Sequence, residues 1–222
     1  MEIIEKERAQ IFLADRRYRY QTSEYRTLRT EISNKGVPSE VQMLYDDTLA
    51  QGRTRSFVAD SSVLILLLPL VGTIEFECLN RGHHQKIAPE ELLVFPLHQG
   101  EAYTITNSSN SDLANYIQIW FKINAFPKHL SYGDYVHNRL NTIYQINSTR
   151  VHFGVFDGRK EARLDMQKPK YQNLVFVING AFEVQERLLE SRDALLLTNV
   201  SRLEMEALSE NGIILILEIP SS

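Results

Sequence analysis

The sequence predicts an all-β protein built from two copies of one domain. Three observations carry that expectation: alternation at the strand period, turn residues at short intervals, and a phrase that occurs twice. The first copy runs from Val63 through Gly72 to Glu77, passes Gly82 and Glu90-Glu91, and re-enters an apolar run at Leu92–Pro96. The second runs from Leu174 through Gly180 to Gln185, passes Arg192-Asp193, and re-enters at Ala194–Thr198. Each reads apolar strand, glycine turn, alternating strand, acidic turn, apolar strand.

Taken in order, Arg16-Arg-Tyr-Arg-Tyr20, with Arg26 and Arg29, mixes basic and aromatic residues. That mixture can hold single-stranded nucleic acid by charge and stacking. Asp15, Glu24 and Glu31 dilute the charge, so a strand with a solvated Arg/Tyr face is expected, with a protein interface as its other use. The longest apolar run, Val63–Ile74, is too short for a bilayer and contains Pro69 and Gly72. It reads as a strand buried on both faces. Thr73–Leu79 and Ala181–Gln185 alternate polar with apolar, as half-buried strands do. Ala102–Thr106 and Asn115–Phe121 continue the pattern with β-branched and aromatic residues.

Turn signals fall at Gly72, Gly82, Gly100, Asn107–Asp112, Asp157-Gly158, Asn179-Gly180 and Asn211-Gly212. The two Asn-Gly pairs are the strongest hairpin signals, because both residues tolerate the positive φ of a tight turn. Many short strands at this spacing argue for a sandwich or barrel. Ala125–Asn147 breaks the pattern with Pro127 and Gly133, and reads as a connection carrying a short helix around Tyr135–Leu140. The predicted domains are residues 1–124 and 148–222, joined by 125–147, with the segment before Val37 added to the first as a strand or arm.

Composition excludes several function classes. A net charge of −4 gives no global attraction to nucleic acid or to an anionic membrane. Cys78 is the single cysteine, which excludes an internal disulfide and a cysteine-based zinc site. Met1–Arg8 is charged where a signal peptide needs an apolar core, so a cytoplasmic protein is expected. Ser61-Ser62 lacks the glycines of a nucleophile elbow, and neither common Gly-rich phosphate loop occurs. Glu75 and Glu77 share a strand face, yet their alternation with Ile74 and Phe76 turns them to solvent.

The residues resemble the pirin-like family of bicupins, which includes bacterial quercetin dioxygenases. The likeness is spread over Leu44-Tyr-Asp-Asp47, Leu70–Glu77, Ala88–Val94, Ile117-Gln-Ile-Trp120, Ser191–Ala194 and Leu215–Pro220. It implies two tandem cupin-type β-sandwich barrels, the double-stranded β-helix. It also implies a metal held by a His-x-His pair, a third His and often a Glu, because such a metal needs about three or four convergent N/O ligands.

Aligned on Gly72, the His-x-His positions fall at Val58 and Asp60; aligned on Gly100, the other two fall at Tyr103 and Ile105. In the second copy Met166 and Lys168 take the paired positions, and no histidine lies between Arg53 and Gly82. The expectation is therefore a bicupin without metal or other cofactor, binding a small molecule or a protein partner. Val58, Asp60, Tyr103 and Ile105 would line the former metal site, with Arg55 near enough to pair with Asp60. In the plainer alternative the register turns Asp60 outward and apolar residues fill the barrel. A quercetin dioxygenase-type oxidoreductase with an atypical site is the other functional reading. His83-His84 read as solvated turn residues, His98 as a loop residue near the first barrel's mouth, and His129, His137 and His152 receive no role.

Overall fold

The protein is described from a computed structural model, in which residues 8–32, 41–109, 111–122, 128–146, 149–166 and 171–219 are placed. It divides into two compact units, one of Arg17–Gly133 and one that joins Met1–Arg16 to Asp134–Ser222.

The chain begins with β1 (Arg8–Phe12) and a single 3-10 turn at Ala14–Arg16. The Arg17–Gly133 unit then lays down β2 (Tyr18–Gln21), β3 (Tyr25–Glu31), β4 (Val41–Leu49), β5 (Thr54–Val58) and β6 (Val63–Val71). It continues with β7 (Ile74–Cys78), β8 (His83–Ile87), β9 (Glu91–Leu97), β10 (Ala102–Asn107), β11 (Ala114–Phe121) and β12 (Lys128–Ser131). A seven-stranded sheet has the order β12-β9-β6-β11-β4-β3-β2, and a four-stranded sheet has the order β5-β10-β7-β8. Alternation decides what lies between them: Ile65 and Leu67 of β6, Phe76 of β7 and Tyr103 and Ile105 of β10 share one core. β6 is buried on both faces from Val63 to Pro69, and only Leu70 and Val71 approach the surface, which explains its unbroken apolar run.

The second unit repeats the plan. Its strands are β13 (Asn141–Ile146), β14 (Thr149–Phe156), β15 (Glu161–Asp165), β16 (Gln172–Asn179) and β17 (Phe182–Val184). They are followed by β18 (Arg187–Leu189), β19 (Ala194–Thr198), β20 (Arg202–Ala207) and β21 (Gly212–Ile219). The large sheet runs β1-β19-β16-β21-β14-β13 and the small one β15-β20-β17-β18. Phe156, Val175, Phe182, Leu195, Leu203 and Ile214 are among the side chains of its core.

Gly72 and Gly180 perform the same task in the two units. Each takes positive φ, 72° and 83°, as the chain leaves a large-sheet strand for a small-sheet strand. A Cβ at Gly72 would meet the Leu113 carbonyl oxygen at 3.1 Å, and one at Gly180 would collide with the Ser209 hydroxyl. Only glycine satisfies both demands.

Four expectations change. The 1–124 boundary does not hold at the N-terminus, because β1 pairs with β19, Arg8 opposite Thr198 and Phe12 opposite Ala194. Nor is 125–147 a bare connection: β12 pairs with β9 and β13 with β14, so the division falls after Gly133. Tyr135–Leu140 forms turns rather than a helix; Asn138 takes φ 59° and its side chain bonds Asp157. Asn179-Gly180 and Asn211-Gly212 are corners between sheets rather than two-residue hairpins, since β16 and β21 lie in one sheet and β17 and β20 in the other. Val37, Ala125 and Pro127 lie outside the described residues. Among the described residues no helix is long and apolar enough to cross a membrane.

Candidate functional site

In the first barrel the register of β5 against β10 decides which side chains can meet a ligand. Tyr103 lies opposite Phe57 and Ile105 opposite Arg55. Phe57 and Ala59 are buried in the core, whereas Val58 is 62% exposed and Asp60 is exposed. Tyr103 and Ile105 are fully buried. Val58 and Asp60 thus do not converge with Tyr103 and Ile105, and the inward pair is Phe57 and Ala59. The physical reason is the two-residue period of a strand: a count displaced by one residue moves every side chain to the opposite face.

The interior at this level is aromatic. Phe57 stacks on Tyr103 with centroids 5.0 Å apart and planes 8° apart. Phe76 lies 5.6 Å from Tyr103 and 5.0 Å from Phe95, and Tyr45 lies 5.9 Å from Phe57 and 5.7 Å from Trp120. The Tyr103 hydroxyl donates to Gln118 Oε1 at 2.9 Å. Burial pushes the Tyr103 phenol well above its ordinary range, so it stays protonated.

One buried ion pair flanks this aromatic group. Arg55 pairs with Asp47, not with Asp60, and its guanidinium also lies 4.6 Å from the Phe57 ring centre and 5.0 Å from that of Tyr25. The hydroxyls of Thr27 and Tyr116 lie beside Asp47 and favour its charged form. Burial raises the Asp47 carboxyl above its usual range, with the Arg55 charge and the neighbouring hydroxyls pulling the other way. Desolvation also raises Tyr116, with the Asp47 charge adding to it. Arg55, Asp47 and the rings around them form a polar wall whose members come from β3, β4, β5 and β11, so no single stretch of sequence displays it.

The histidines are distributed as follows. His83 and His84 belong to β8 rather than to a turn, and their side chains diverge as an extended backbone requires: His83 packs 4.8 Å from Phe95, and His84 faces Glu75. His98 is exposed, and its backbone N–H donates to Glu101, which Arg81 also holds at 2.8 Å. His129 meets Glu91 at 3.1 Å and His137 meets Asp157 at 2.8 Å. Glu75 binds Lys86 at 3.0 Å on the outer face, in keeping with its alternation. Strand β2 exposes all four of its residues at the edge of the large sheet, and Arg29 lies over Tyr18.

The second barrel holds a polar group that sequence reasoning missed. His152, Asn173 and Glu218 are buried on the inner face of β14, β16 and β21. Glu218 lies opposite both Arg150 and Asn173. Arg150 donates to Glu218 through Nε at 2.7 Å, and His152 Nε2 stands 3.8 Å from the same carboxylate. His152 Nδ1 is 3.1 Å from the Thr142 hydroxyl. Met166 packs against the adjoining core, and Lys168 lies outside the described residues. A groove of about 570 Å³ on the small sheet is lined by Glu161, Glu183, Glu204 and Glu206 with Arg163 and Arg187. Among the described residues no three His, Cys, Asp or Glu side chains are placed to share a metal ion.

Comparison with known proteins agrees with this architecture. Residues 138–219 match the model of the quercetinase C-terminal cupin domain. No curated relative matches the chain by sequence. Among solved structures, YhhW from Escherichia coli superposes with a TM-score of 0.79 at 13% identity, over 97% of this chain and 99% of that one. The nickel(II) complex of the same bacterial pirin gives 0.77 at 14%, over 97% and 100%. Quercetin 2,3-dioxygenase from Acinetobacter baumannii gives 0.73 at 14%, over 95% and 85%. At these identities the likeness establishes the fold.

Proposed function

For this chain, a pirin-like bicupin, we propose a binding role without metal chemistry, its ligand a small molecule or a protein partner. The observation that carries the reading is the set of inward side chains on β5, the residue just after it and β10: Phe57, Ala59, Tyr103 and Ile105. Together they offer one phenol and neither an imidazole nor a carboxylate. A catalytic transition metal needs about three or four N/O donors and an open position, so this set does not fit one. The stack of Phe57 on Tyr103 occupies the inner face where an open position would be needed. A flavonol dioxygenase uses its metal to bind and activate the flavonol toward O₂, and these four side chains offer no donor set to hold one.

The test is metal loading of the purified protein with Fe, Ni, Mn and Cu in turn, followed by elemental analysis and a flavonol-consumption assay in air. Nickel goes first, because the E. coli pirin was solved with nickel(II). Substoichiometric metal and no flavonol loss are expected. Near-stoichiometric metal released by Tyr103→Phe would reverse the proposal in favour of an oxidoreductase with an atypical site.

A further inference from the structure

We propose that the polar end of the second barrel binds a small uncharged molecule with an amide-type edge, recognised by Asn173 and His152. The argument uses the second barrel alone and holds whatever the first barrel binds. Ile65 and Asn173 stand at equal distances before the turn glycines Gly72 and Gly180. Cross-strand register then matches Trp120 with Glu218, Met43 with Arg150 and Tyr45 with His152. In the first barrel Met43, Tyr45, Ile65 and Trp120 pack in one apolar core. The fold therefore has no need of polar groups at these four places, yet the second barrel carries four.

Their chemistry defines the ligand. Arg150 and Glu218 neutralise one another, so the group presents no excess charge to a buried guest. Thr142 engages His152 Nδ1, which leaves Nε2 facing the interior without a hydrogen bond. Asn173 is fully buried, and neither its amide nitrogen nor its amide oxygen has a partner. Buried amides are ordinarily satisfied at both ends. The complement of a side-by-side N–H donor and C=O acceptor is an acceptor beside a donor, the edge of a carboxamide, a lactam or a urea. Val175, Leu197 and Ile216 supply apolar walls from the neighbouring core.

The full-length ¹⁵N-labelled protein would be titrated with acetamide, and separately with acetate as a charged molecule of similar size. Acetamide should shift the Asn173 side-chain amide signals saturably, and acetate should leave them unchanged. Asn173→Ile, which copies the first barrel's residue, identifies those signals by their loss. Its melting temperature should equal or exceed the parent's by about 2–4 °C, and its acetamide affinity, read from neighbouring backbone signals, should fall at least tenfold. An unsaturable response, or an equal response to acetate, overturns the proposal. So does a melting temperature several degrees below the parent's, which would mean that Asn173 has a structural partner. So does a high-resolution structure in which a water bridging Asn173 and His152 survives in acetamide.

Discussion

Arg55 keeps its charge beneath the surface by two means, a carboxylate partner and a cage of rings. Asp47 is wholly buried, and Tyr25 and Phe57 cover the guanidinium. Arg55→Met would strand the Asp47 carboxylate among hydroxyls and should cost about 3–5 kcal/mol near neutral pH, read from urea unfolding. That cost should shrink as the pH falls. Burial already sets the folded Asp47 pKa above its unfolded value, and removing Arg55 removes the largest influence that lowers it. The folded variant then holds a proton more tightly than the unfolded chain, so acidification favours folding. A penalty that stays constant between pH 7 and pH 5 would show that Asp47 does not depend on Arg55. Asp47 stood in a stretch legible as family-like, but its partner was not legible, since pairing across β4 and β5 depends on how one sheet folds over another. Tyr103 and Ile105 do face inward, and the count to them runs along β10, whereas the count to Val58 and Asp60 crosses the Ser61-Ser62 turn and lands on outward-facing residues.

At the scale of elements, β1 is the strand whose role a linear reading could not assign. It lies at the edge of the second unit's large sheet, 182 residues from its partner where Phe12 faces Ala194. Its short segment carries one buried side chain, Phe12, and an Ala14 N–H that donates to Asp193 Oδ1 at 2.7 Å. Phe12→Ala should cost about 3–5 kcal/mol, as aromatic truncations in cores do. Hydrogen exchange should quicken at the amides of β19 and leave those of β9, its counterpart in the other unit, unchanged. Acceleration in β9 alone would refute the assignment of β1. Strand existence was legible from alternation in β7, β10 and β11, and the full burial of β6 from its apolar run. Membership was not legible, because a five-residue edge strand records its own pattern and nothing about its partner. His152 escaped notice for the same reason: the Glu218 and Asn173 that surround it come from β21 and β16.

For the molecule as a whole, the two cores differ in what they bury, and alkaline pH should tell them apart. The Arg17–Gly133 unit holds two fully buried phenols, Tyr103 and Tyr116, both raised well above the ordinary value of 10.0 by desolvation. The other unit holds Tyr144, pushed up to about 12 by burial. A buried phenol stays neutral while the unfolded chain begins to lose its tyrosine protons near pH 10, so the unfolded state gains as the pH rises. The phenols' contribution is complete below pH 10 and is lost progressively up to the folded pKa. Melting temperature should fall steeply from pH 9 to pH 11, and hydrogen exchange in β10 and β11 should rise before that in β16 and β21. Tyr116→Phe should flatten the fall and change stability near neutrality by only about 1 kcal/mol, the scale of one buried hydroxyl. If both units loosen together, and Tyr116→Phe leaves the slope unchanged, the buried phenols of the first barrel are not the groups that set alkaline stability.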